Sequence, residues 1–114
     1  MGTKQYDTHE IAQGRRIVRW DGLGKNAEVG AQFNRFNPSS SLTVTFNGIF
    51  DGAKVRLQGA IEDDMFTLND PQGNSLTSSS PKIEAVIEKV TAISPVIENP
   101  GAKTDVTVTV LICG

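Results

Sequence analysis

LTVTFNGIFDGAKVRLQGAIEDDMFTLNDPQGN, residues 42–74, decides the fold class. Leu42, Val44 and Phe46 alternate with Thr43 and Thr45, and Val55, Leu57 and Ile61 repeat the pattern against Lys54, Arg56 and Gln58. Successive side chains of a strand point to opposite faces, so this alternation marks half-buried strands. The runs break at Asn47-Gly48, Asp51-Gly52, Glu62-Asp63-Asp64 and Asp70-Pro71-Gln72-Gly73, residue types that favour turns. Phe66 and Leu68 open a further short strand between the last two breaks. Nothing in the stretch sets out residues for chemistry. It reads as a scaffold built to be docked.

Working outward, residues 106–112 carry the strongest strand signal in the chain. Val106, Val108, Val110 and Ile112 alternate there with Thr107 and Thr109, and the turn Asn99-Pro100-Gly101 feeds the run. Arg15-Arg16-Ile17-Val18-Arg19-Trp20 is a short strand stopped by Asp21-Gly22, and 27–33 is a weaker strand interrupted by Gly30. Residues 92–98 read as a strand whose Pro95 belongs at an edge or a bulge, because proline cannot donate to a ladder. Residues 82–90 allow two readings. Ile83, Val86, Ile87 and Val90 form a helical stripe, with Ser80 as N-cap and Pro81 at the first position; alternatively Ile83, Ala85 and Ile87 share one face of a strand. Residues 1–14 are polar and aperiodic, and read as an N-terminal arm before a single domain at 15–114. The expectation is an all-β, two-layer antiparallel sandwich of jelly-roll type, with at most one short helix near 82–90.

Composition narrows the function classes. The 114 residues suit one domain, and 38% apolar with 21% charged content is that of a globular chain. A net charge of −2 implies no nucleic-acid partner. The longest apolar run, Val110 to Cys113, is far short of the ~20 residues of a membrane helix, and the polar start has no apolar signal core. The Met1-Gly2 start lacks the Ser or Thr at position 6 that myristoylation wants, since Tyr6 stands there.

One cysteine, Cys113, and one histidine, His9, argue against an intrachain disulfide and a zinc site; Cys113 reads as a small buried hydrophobe. Glu62, Asp63, Asp64, Asn69 and Asp70 offer oxygens to calcium, but their spacing is not that of an EF-hand and hairpin chemistry accounts for them. Neither a nucleophile elbow, a phosphate-binding loop nor a dinucleotide fingerprint occurs, and His9 lies in the arm, away from any triad. The expectation is a non-enzyme without cofactor or metal. Candidate partner-contact residues are Arg15, Arg16 and Arg19, the one basic cluster; Trp20, either a core anchor or an exposed stacking platform; and Tyr6.

The runs Ile17-Val18-Arg19-Trp20-Asp21-Gly22-Leu23, Val55 to Gly59, Phe66 to Asn74, Ile93-Ser94-Pro95-Val96 and Thr104 to Leu111 together resemble small virion proteins of tailed bacteriophages. These are the capsid decoration (cement or staple) proteins, jelly-roll modules on the outside of the head. The likeness spans about Arg15 to Ile112. The chain departs from it in two places: Ala60, Glu62-Asp63-Asp64 and Met65-Phe66 replace a Ser-x-Asp-Gly turn followed by Trp, and Ile93-Ser94-Pro95 replaces Ile-Arg-Pro. The resemblance implies a virion protein made in the host cytoplasm and placed on the capsid exterior. It implies as partners the major capsid protein and further copies of the chain itself, as a dimer or trimer. A carbohydrate-binding or host-adhesion module using Trp20 or Tyr6, and a head-completion or tail component, are the alternatives.

Overall fold

The computed structural model describes residues 2–25, 27–34 and 36–114. Eleven strands run in chain order: β1 (Gly2–Lys4), β2 (Asp7–Ala12), β3 (Arg15–Leu23), β4 (Ala27–Gly30), β5 (Ser41–Ile49), β6 (Lys54–Ala60), β7 (Phe66–Thr67), β8 (Thr77–Ser78), β9 (Lys82–Val86), β10 (Ala92–Glu98) and β11 (Asp105–Cys113). They form one strongly curled sheet in the order β7-β6-β10-β4-β3-β11-β5-β9, with β1 on β4, β2 on β3 and β8 on β6. The fold is all-β, as the alternation requires, and the described residues contain no helix.

The curl makes two layers. In one, β11 pairs antiparallel with β3 and with β5, and β5 pairs with β9. In the other, β10 pairs with β6 through all seven of its residues. A single registered pair, Leu23 with Ala27, joins β3 to β4 where the sheet bends. Between the layers lies one core, built from Val18, Trp20 and Val44 of the first and Val55, Leu57 and Ile93 of the second, each with no exposed surface.

Local chemistry sets the corners. Asp51 and Gly52 both take positive φ (47° and 82°), the conformation of a tight two-residue turn, and the chain there leaves β5 in one layer for β6 in the other. The corner is pinned to the 99–104 loop: Asp51 Oδ2 accepts from the Lys103 N–H at 2.9 Å, and the Thr104 hydroxyl donates to the Phe50 carbonyl at 2.8 Å. The Asp70-Pro71-Gln72-Gly73 break is a side-chain-held turn, in which Asp70 Oδ1 accepts from the N–H groups of Gln72 (3.0 Å) and Asn74 (2.9 Å).

The structure corrects several expectations. The 82–90 segment takes its strand reading: β9 pairs with β5 from Leu42–Val86 to Phe46–Lys82, which turns Ile83, Ala85 and Ile87 outward and Val86 inward. Pro95 sits inside the sheet, not at its edge. Ile93, two residues before it, exchanges hydrogen bonds with Phe33 on the side away from β6. The Pro95 nitrogen faces that same side, against Gly30, where the ladder to β4 narrows to the pair Val96–Val29. Ile61 and Phe66, read as inward-facing, are exposed (71% and 68%): β6 ends at Ala60 and β7 has only two residues.

The segment read as an arm is laid along the sheet. Met1 lies outside the described residues; β1 runs parallel to β4, and β2 forms a hairpin with β3. Every side chain of β2 is nonetheless exposed.

Candidate functional site

The first layer turns a broad face to solvent. Residues directly opposite on neighbouring strands share a face, so the register lays out rows across β2, β3, β11, β5 and β9. One row is Asp7–Arg19–Thr109–Thr45–Ile83 and the next His9–Ile17–Leu111–Thr43–Ala85. These strands form side by side because their alternate residues Val18, Trp20, Val108, Val110, Val44 and Phe46 are buried in the core. The result is a pleated surface of threonines and short apolar groups with Arg15 and Arg19 on it. A shallow depression of about 310 Å³ lies between Arg19, Asp21, Thr45, Asn47, Thr107 and Thr109. The Thr107 hydroxyl and Asp21 Oδ1, 3.1 Å apart, are hydrogen-bonded within it.

The candidate residues are not all brought together. Arg15 and Arg19 are exposed on this face, whereas Arg16 points the other way and donates from Nη1 to Thr8 Oγ1 at 3.2 Å. Trp20 is withdrawn from contact altogether. It has no exposed surface, and its Nε1–H donates to the Ala31 carbonyl at 3.0 Å. Its place opposite Val108 on an inward row makes it a core anchor, and it offers no ring to a sugar or a partner. Tyr6 is half-buried, edge-on to Trp20 (centroids 6.1 Å apart) and to Phe33 (5.1 Å), so it fastens the N-terminal segment to the body.

A second feature has no counterpart in the residues singled out from sequence. A cleft of about 760 Å³ opens between the end of β6, β7 and the 88–90 segment. Ile61 and Phe66 stand on its walls, Leu68 and Val90 lie beneath, and Glu62, Asp63, Asp64 and Glu88 supply four carboxylates against one ammonium, Lys89. Glu88 reaches across the gap in the curl: its Oε2 accepts from the Asn69 N–H at 2.9 Å, while its Oε1 is buried without a partner. The acidic run was legible as a turn. Its meeting with Glu88, distant in sequence, was not.

Among the described residues, no three His, Cys, Asp or Glu side chains are grouped to hold a metal ion. Neither the outer face nor the cleft aligns a nucleophile with a base. What both can do is adhere.

No family model matches the chain, and no curated protein matches it in sequence. Solved structures do share its fold. Protein YomS, derived from the SPBc2 prophage, is similar over 93% of this chain and 100% of its own at a TM-score of 0.62 and 12% identity. Protein NMB1881 from Neisseria meningitidis is similar over 100% of this chain and 88% of its own, with a TM-score of 0.50 and 10% identity. At such identities the likeness is one of architecture: this chain has the same kind of curled all-β fold as a protein carried by a prophage.

Proposed function

We propose that this chain is a virion structural protein of a tailed phage, a decoration protein that binds the outside of the head and holds neighbouring major capsid subunits together. The observation that carries the reading is the outward face of β2, β3, β11, β5 and β9. Five strands of up to nine residues span roughly 20 by 30 Å, on the order of 600 Å² in projection. That approaches the ~800 Å² that one partner contributes to a standard interface. The fold shared with the prophage-derived YomS and the sequence likeness to decoration proteins support the same reading.

Function in this proposal is adhesion, with no reaction and no cofactor. A protein that binds the assembled lattice and not its free subunits stabilises the lattice by mass action, and many copies add their binding free energies. The threonine rows supply hydroxyls and methyls at fixed spacing, and Arg15 and Arg19 supply planar donors that suit carboxylates on a capsid loop. The site of action is the capsid exterior, after synthesis in the host cytoplasm.

Cosedimentation with purified heads lacking the protein tests this. Saturable binding, at a copy number that scales with the capsid lattice and weakened about tenfold by Arg19→Glu, is the expected result. Binding to a glycan array with none to heads, or a copy number matching a single ring at one vertex, would overturn it.

A further inference from the structure

Ile61 and Phe66 are the two most exposed large apolar side chains of the described residues, and they share one cleft. Three consecutive carboxylates, Glu62, Asp63 and Asp64, lie at the same place, and the buried Oε1 of Glu88 has no donor. A buried acceptor left unmade costs free energy that a cation's N–H would recover. The cleft is therefore complementary to a segment that presents an apolar anchor next to a guanidinium, with no acid of its own beside them.

The chain carries such a segment. The turn between β2 and β3 runs Ile11-Ala12-Gln13-Gly14-Arg15-Arg16, two cations and no carboxylate. Ile11 is 50% exposed, Arg15 is exposed, and Gly14 takes φ 75° to let the hairpin turn sharply. β2 rests on β3 alone, and its side chains meet solvent on both faces, so nothing in its own fold covers it.

We propose that the cleft beside β7 receives the β2–β3 hairpin turn of a second copy of this chain. Ile11 packs between Ile61 and Phe66, and Arg15 pairs with the carboxylate rim. The two surfaces differ, so the contact is heterologous: each copy offers one hairpin and one cleft, and closure of the rotation produces a ring. The inference stands apart from shell binding, since it concerns the free protein.

Sedimentation equilibrium of the purified protein, with variants at exposed positions, tests it. The wild type associates with rising concentration. Phe66→Glu and Arg15→Glu each weaken association about tenfold or more while leaving the circular dichroism unchanged. An equimolar mixture of the two variants recovers one intact contact and forms a heterodimer that grows no further. Combining Arg15→Glu with Asp63→Arg in one chain restores association. A wild type that stays monomeric at millimolar concentration overturns the proposal; so do variants that associate like the wild type, or a mixture that stays monomeric.

Discussion

Two glycines separate the two reasons a protein needs that residue. Gly30 lies on the inner side of the bend, where a Cβ would sit 2.5 Å from both Pro95 Cγ and Trp20 Cδ1. Gly52 has nothing within 4 Å of its would-be Cβ, but takes φ 82°. Gly30→Ala must push a proline and a tryptophan apart in a packed core, at a cost of about 2–3 kcal/mol. Gly52→Ala meets only the backbone penalty of the left-handed region, about 1 kcal/mol. Urea midpoints of the two variants should rank in that order. At Trp20, replacement by Phe removes the donor to the Ala31 carbonyl and some ring contact, at about 1–3 kcal/mol.

The strand β9 shows how an element is chosen between two periodicities. Its residues allow a helical stripe, and Pro81 would suit a helix start. β-Branched side chains crowd a helix and sit well on a pleat, and β5 presents an edge with which β9 pairs over five registered positions. Alternation then dictates function by position. Ile83, 67% exposed on the outer face, should accept Thr with a stability change within ~0.5 kcal/mol. Val86, 8% exposed, should lose about 2 kcal/mol on conversion to Ala. Thermal unfolding of the pair, monitored by circular dichroism, reads the asymmetry; a helix stripe would have made both positions core.

At the scale of the molecule, the ends of the curl are held by side chains where no ladder joins them. Lys82 Nζ stands 4.0 Å from Asp70 Oδ2 and 3.7 Å from Glu84 Oε1, and Glu88 reaches the Asn69 N–H. The core is continuous across both layers, with Trp20 touching the bend between them. Unfolding should therefore be one cooperative transition: Trp20 fluorescence and far-ultraviolet circular dichroism should give coincident urea curves, as two-state unfolding of a small domain requires. Separate transitions would mean that the layers fold as independent units.

Strand-forming stretches and their turns were legible because alternation and the turn residues Asp51-Gly52 and Asp70–Gly73 act within a few neighbours. Inward faces followed wherever a strand was long enough to carry its pattern, as in β5 and β11. Reading failed where an element stops. Ile61 and Phe66 continue an apolar alternation, yet β6 ends at Ala60 and β7 spans two residues, so both side chains are left outside.

Hydrophobic periodicity thus determined by itself that this chain is a β-protein with outward rows of Thr and Arg, since side-chain direction along a strand is a local property. Which strands lie side by side, that Arg16 parts from Arg15 and Arg19, and that Glu88 meets the 62–64 carboxylates were decided only in three dimensions. These depend on how a twisted sheet curls to bury both of its inner faces, and residues far apart in the chain become neighbours only when that burial is complete.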